Sequence, residues 1–307
     1  MRISGIKCGL AGLVLFVFCE AGLCAEDQYI QSFDAAFTAY VSLNYNSIVF
    51  SQNDKNSAET YISNRPFDAG FGFAWGNFSL GFNVSIPFLR DTEYSKSKSS
   101  DAQLNYHGKK FFFEIQGKDY KGFHDEDSRG SSRRRLSAVG KDGQNVDLEI
   151  RSIGIFGQYL WNHEEYSMRA AFDLTERQLK SAGSFLLGAD SFYSTIFSPE
   201  SFLSRYNKKN KLLQFGPNAG YAYTWVYNNN LFLAAAVSLG LNVHKELNGN
   251  SYSVGPAFFP RFAVGYHMED WSFNFMYTAT ILSIIYNENE SGDISTHHVQ
   301  LTLARRF

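Results

Sequence analysis

Nine polar residues could do chemistry together if alternating segments bring them onto one surface: Asp101, Gln103, Asn105, Glu114, Arg169, Asp173, Arg177, Arg261 and His298. Charges of both signs are interspersed among them. Such groups can line a hydrated passage for small polar solutes, or close on one another as a salt-bridged plug, and spacing alone allows both. The stretch "FDLTERQLKSAGS" is the densest part of the set. Read as a strand, it puts Arg169, Asp173, Thr175 and Arg177 on one face near an outer rim, with Glu176, Gln178 and Lys180 on the other. That arrangement reads first as a charge network shaping a hairpin, and second as a polar solute or ion site at a barrel mouth.

A loop from about residue 119 to 145 carries a different chemistry. Asp125, Glu126 and Asp127 could chelate a divalent cation, although their spacing matches no EF-hand loop. Arg133, Arg134 and Arg135 could meet the phosphates of lipopolysaccharide or another polyanion. A solvated, charged surface loop without a fixed partner is the simpler reading.

Covalent catalysis has no foothold in the motifs. The chain lacks GxSxG, a P-loop, HExxH and a GxGxxG set between strand and helix. His297 and His298 are adjacent, so on a regular strand they point to opposite faces and cannot share a metal. A lipid-acting enzyme of the outer membrane would need Ser, His and an acid or amide converging on the outer wall, whereas His107 and His267 point inward by phase. We therefore expect no metal, no cofactor and no enzymatic activity.

The elements that must position these residues are strands. Phe (29), Tyr (18) and Gly (25) are abundant in the 307 residues while Pro is scarce (6), a composition that favours pleated structure. The net charge of -2 offers no basic excess for nucleic acid. Arg2 and Lys7 precede an apolar run from Gly9 to Phe18, followed by small residues to Ala25, which predicts an export signal over 1–25 and a barrel over 26–307. Cys8, Cys19 and Cys24 all lie in that leader, so disulfides and thiolate sites are excluded beyond it.

Past the leader, period-two alternation recurs segment after segment. Phe67, Ala69, Phe71, Phe73 and Trp75 alternate with small or polar residues, Gly76-Asn77 makes a hairpin turn, and Phe78, Leu80, Phe82 and Val84 resume the phase. Phe273, Phe275 and Tyr277 are expected to face lipid, with Ser272, Asn274 and Thr278 inward. Aromatics gather at strand ends (Trp75, Trp161, Trp225, Trp271), and short turns alternate with long polar connections, as in membrane barrels. Gly70, Gly72, Ala74 and Gly81 would leave one wall thin, or equally relieve strain at a bend. The terminal stretch "HHVQLTLARRF" alternates up to Phe307, an aromatic-ended strand of the kind that barrel-assembly machinery reads. The segment from Ser184 to about Phe197, taken as one strand, would make two consecutive descending strands and an odd total, which a tight turn near Gly188 to Ser191 would repair. The fold expected is an all-β transmembrane antiparallel barrel of about fourteen strands, with twelve as the alternative.

The stretches "SNRPFDAGFGFAWGNFSLGF", "LNYHGKKFFFEIQGKDYKGF", "RAAFDLTERQLKSAGSFLLG" and "GPNAGYAYTWV" resemble a family of exported bacterial proteins classed as a domain of unknown function, numbered 4421. The resemblance covers nearly the whole chain after the leader. It implies an outer-membrane location and carries over neither catalytic residues nor a substrate. Taken together, the residues read as an outer-membrane barrel acting as a passive channel or uptake barrel for small polar solutes. A closed structural or adhesive surface barrel using the loop 119–145 is the alternative. Expected partners are outer-membrane lipids, lipopolysaccharide and, through the C-terminal strand, the barrel-assembly machinery.

Overall fold

The computed structural model describes residues 28–33, 35–54, 57–64, 67–86, 98–125, 146–197, 209–228, 230–248, 252–287 and 290–307. The expected signal segment lies outside them, as do Glu126, Asp127, Arg133, Arg134 and Arg135.

In chain order the elements are β1 (Ile30–Ser32), β2 (Thr38–Asp54), β3 (Ser57–Ser63), β4 (Phe67–Trp75), β5 (Phe78–Ser85), β6 (Lys98–His107), β7 (Phe111–Asp125) and β8 (Val146–Leu160). A short helix, α1 (Met168–Phe172), precedes β9 (Glu176–Gln178), β10 (Ala182–Phe197), β11 (Lys209–Tyr227), β12 (Leu231–Glu246), β13 (Tyr252–His267), β14 (Trp271–Asn287) and β15 (Glu290–Arg306).

Twelve strands close into one antiparallel ring in the order β2, β4, β5, β6, β7, β8, β10, β11, β12, β13, β14, β15, and β15 pairs back onto β2 from Ser291↔Asn53 to Arg306↔Thr38. A closed ring pairs every ladder group and has no edge, the condition for crossing a bilayer with strands. β3 lies between β2 and β7 at one end of the ring, and β1 pairs with β9 in a separate two-stranded sheet.

The count is therefore twelve, the lower of the two that alternation allowed, and the reason is local. Tyr166 to Asp173 is not a strand: Ser167 caps α1, its Oγ accepting from Ala170 N at 3.3 Å. With that segment removed the parity closes without a break in β10, which runs unbroken through Gly188 to Ser191. Phe33 and Ala35 precede β2.

Alternation sorts the two faces. Val41 (59% exposed), Phe71, Phe73, Ile155, Leu187, Leu239 and Phe275 point outward, far more contiguous apolar surface than a water-facing protein carries. Trp75 (68% exposed), Trp161, Trp225 and Trp271 ring the end that holds the short turns, an interfacial aromatic belt. Such a barrel sits in the bacterial outer membrane, with its short turns toward the periplasm. At that end the ring of Phe307 stacks on Phe37 at 4.9 Å, and Phe307 N donates to Phe37 O at 2.9 Å.

The inner face is not uniformly wet, as the expected split into apolar exterior and polar lumen would have it. Near the long-loop end Ile48, Phe50, Tyr61, Tyr120, Phe123, Leu148, Ile150, Ile196, Leu212, Ile284 and Ile294 pack into one apolar layer. Along β8 and β10 to β13, Phe156, Leu186, Phe192, Ala222, Ala236 and Phe259 fill the interior. Glycine makes room for this: a Cβ at Gly154 would lie 2.5 Å from the Phe192 ring. Gly154→Val is therefore expected to overpack this layer, lowering stability by about 1 to 3 kcal/mol, read from the denaturant midpoint of the refolded barrel. An unchanged midpoint would mean that Phe192 can turn aside.

Candidate functional site

Between the apolar regions, one ion pair spans the lumen. Arg261 on β13 and Glu114 on β7 stand five strands apart in the ring of twelve, so they approach from nearly opposite walls. Their contact is bidentate, Nη1 to Oε1 at 2.5 Å and Nη2 to Oε2 at 2.6 Å, the fork geometry in which a guanidinium binds a carboxylate best. The same guanidinium lies over the rings of Phe112 (5.6 Å) and Phe156 (5.1 Å), which supply a cation–π surface on the apolar side.

On the other side, toward β2, β6, β14 and β15, lies a polar chamber of about 90 Å³. Gln103, Asn105, Gln116, Lys118, Thr278, His298 and Gln300 line it, with Glu114 and Arg261 as its partition. His298 Nδ1 is held by Asn46 Oδ1 at 2.5 Å, and Gln300 donates to Ser42 at 3.1 Å, so part of the lining is fixed by neighbouring strands. Toward the long-loop end a smaller void of about 20 Å³ continues past Gln116, Lys118, Thr280 and Thr296 and meets Ile48, Ile150 and Ile294 of the apolar layer. That layer is the roof.

The floor is the segment between β8 and β10, folded into the periplasmic mouth as a plug. Phe172 and Leu174 pack against Phe232, Ala234, Ala263 and Ala304 of the wall. Asp173 reaches the chamber, where its Oδ2 lies 3.2 Å from His107 Nδ1, and His107 Nε2 is in turn 4.0 Å from Glu114 Oε1. Plug, wall and cross-lumen pair are thus joined through one imidazole. Leu174, at φ 58°, turns the chain from α1 toward β9 in the left-handed region that costs a branched side chain about 1 kcal/mol, so packing holds it there.

Three arginines tie the plug to the rim. Arg169 donates to Gly76 O (2.7 Å) and Asn77 Oδ1 (3.2 Å) in the β4–β5 turn, and to Glu176 Oε1 at 3.2 Å. Arg177 donates to Met268 O at 2.9 Å. Arg306 on β15 donates to Leu174 O of the plug at 3.5 Å and to Met268 O (2.6 Å) and Trp271 O (2.7 Å) of the rim, while its guanidinium lies 3.6 Å from the centre of the Phe33 ring. Below the plug a second cavity, about 210 Å³, is lined by Tyr29, Lys109, His163, Ser167 and Glu176 among others.

Of the residues singled out by spacing, the fold brings Gln103, Asn105, Glu114, Asp173, Arg261 and His298 to the chamber. Asp101 faces inward next to them, its Oδ2 accepting from Tyr120 Oη at 2.5 Å. Arg169 and Arg177 do not line the chamber. Nor do Arg169, Asp173, Thr175 and Arg177 share a strand face at an outer rim: α1 interrupts the run, and the segment sits at the periplasmic end. Of the loop 119–145, residues 119–125 belong to β7, whose last residue is Asp125, and the remaining clusters lie outside the described residues. The glycine-rich wall is not thin, because the Tyr40 ring fills it: a Cβ at Gly81 would meet the Tyr40 hydroxyl at 2.8 Å, and that hydroxyl donates to Leu80 O at 3.0 Å.

Alternation alone missed the inward Phe112, Phe156 and Phe259. The signal was present in strands that are apolar at both parities, such as Phe111-Phe112-Phe113 and Phe258-Phe259, which must bury one large residue inside.

A family model described as "Domain of unknown function (DUF4421)" matches residues 25–307. No curated protein matches the chain. Similar solved structures include the outer membrane protease OmpT from Escherichia coli, at 8% identity over 90% of this chain and 98% of that one, with a TM-score of 0.40. The COG4313 outer membrane channel from Pseudomonas putida F1 is similar at 10% identity over 92% and 98%, with a TM-score of 0.35. The outer-membrane expressed OmpT of Vibrio cholerae is similar at 7% identity over 89% and 99%, with a TM-score of 0.33.

Proposed function

This chain belongs to the DUF4421 family, and from that premise and the lumen geometry we propose that it is an outer-membrane uptake barrel for small polar solutes, gated rather than standing open. The polar chamber carries this reading. On the β8 to β12 side the barrel fills its interior with apolar side chains, yet on the β2, β14 and β15 side it keeps an open volume lined by hydroxyls, amides and charges. Filling that volume too would serve a barrel whose only task is closure. The plug is the gate: it is a chain segment separate from the ring, and its arginine hydrogen bonds to the rim, Arg169 to Gly76 O and Arg177 to Met268 O, can break without opening any strand seam.

A second reading, a closed structural barrel, is favoured by the apolar layer over the chamber. Planar-bilayer recording separates the two. The intact barrel is expected to show little conductance, and a variant with residues 164–180 replaced by a short Gly-Ser linker and the apolar roof thinned by Phe123→Ala and Ile150→Ala is expected to conduct steadily. If the correctly folded variant is as silent as the intact barrel, the uptake reading fails and the structural one replaces it.

A further inference from the structure

Resting on the uptake reading, we infer that the chamber is a binding site for a small oxyanion, such as a short monocarboxylate, with Lys118 as its charged anchor. The lining's other charges are already matched. Glu114 is clamped by Arg261 through two bonds, and Asp173 faces His107 at 3.2 Å. Lys118 is left over. Among the described residues no hydrogen bond engages its ammonium and no carboxylate lies within ion-pair distance. Asp101, its register partner across β6 and β7, and Glu114 act on Lys118 only through the field at longer range, since Asp101 turns Oδ2 to the Tyr120 hydroxyl and Glu114 is held by Arg261.

The position of Lys118 adds to its charge. It lines both the chamber and the smaller void above it, together with Gln116, Thr280 and Thr296. Thr280 and Thr296 are register partners on β14 and β15, so their side chains sit side by side. One ammonium, one amide and two hydroxyls make a donor-rich pocket with no carboxylate among the four. A planar oxyanion accepts from several such donors at once and gains charge-assisted bonds, which are the strong ones; a cation would meet Lys118 head on. Size bounds the ligand further. A cavity of about 150 Å³ holds benzene, and this one is about 90 Å³, which suits formate, acetate or nitrate.

The test uses the full barrel refolded in detergent with the probe present, so that the chamber closes around it. Equilibrium dialysis of radiolabelled acetate is compared with its neutral isostere acetamide and with methylammonium. Acetate is expected to be retained saturably, Lys118→Met to weaken it at least about tenfold, and Lys118→Arg to keep it within a few-fold. Heat-modifiable gel mobility shows that each variant is folded, and nitrate competing with acetate marks the site as one for oxyanions in general. Equal retention of acetamide or methylammonium, unchanged acetate binding in Lys118→Met, or no acetate retained by the folded barrel would each overturn the inference. Passage across a bilayer plays no part in this measurement. Silent bilayers with intact acetate binding would sink the uptake reading and leave the anion site standing.

Discussion

Glu114→Leu is expected to destabilise the refolded barrel by about 3 to 5 kcal/mol, because it strands the Arg261 guanidinium in the lumen without the carboxylate that forks it. The two side chains are 4% and 11% exposed, so solvent offers the orphaned charge little relief. The double variant Glu114→Leu/Arg261→Leu should recover most of the loss, since replacing a buried pair by apolar groups of similar size is often neutral. A complete double-mutant cycle in urea, run in detergent micelles, isolates the pair. Additive losses, with no recovery in the double variant, would mean that the pair does not bridge the lumen.

The second large effect is on the outer wall. Phe275 projects from β14 toward lipid, 38% exposed, between Leu301 on β15 and Val264 on β13. Phe275→Arg is expected to cost roughly 2 to 4 kcal/mol if it lies near the bilayer midplane, whereas Phe275→Leu stays within about 1.5 kcal/mol. Folding yield into lipid vesicles measures both. Equal yields for the two variants would place this part of β14 outside the hydrocarbon. Its neighbour Asn274 points inward, but it is not free to be exchanged for tuning passage: its amide donates to Ala171 O at 3.1 Å and so holds α1 in place.

How much of this was legible in residues alone follows from what period two can and cannot encode. The outward set, such as Phe71, Phe73, Phe273 and Phe275, was readable because lipid imposes one rule on every outward position. The inward set obeys no such rule. An inward position can face water, a plug or another wall, and Phe112 and Glu114, two residues apart on the same face of β7, serve an apolar contact and a charged one. The Arg261 to Glu114 pairing depends on barrel closure, which brings together residues 147 apart in sequence. α1 escaped because Tyr166, Met168, Ala170 and Phe172 alternate as well as any strand. The cap at Ser167 and the turn at Leu174 distinguish it: serine is a favoured helix cap, but Leu174 gives no sign of its left-handed turn by residue type.

The seam between β15 and β2 has a consequence for how the ring comes into being. Eleven of the twelve barrel seams join strands that follow one another along the ring's own path through the chain, and each can zip as a hairpin as soon as its two arms exist. The twelfth joins residues 38–53 to residues 291–306 and has no local precursor. Contacts this distant in sequence form slowly, so the curled sheet waits with two bare edges of about sixteen residues each. The finished ring offers no edge to a stray strand; its last precursor offers two. Until the two meet, either edge can pair with any stray strand, so closing this one seam is what turns an aggregation-prone sheet into a barrel.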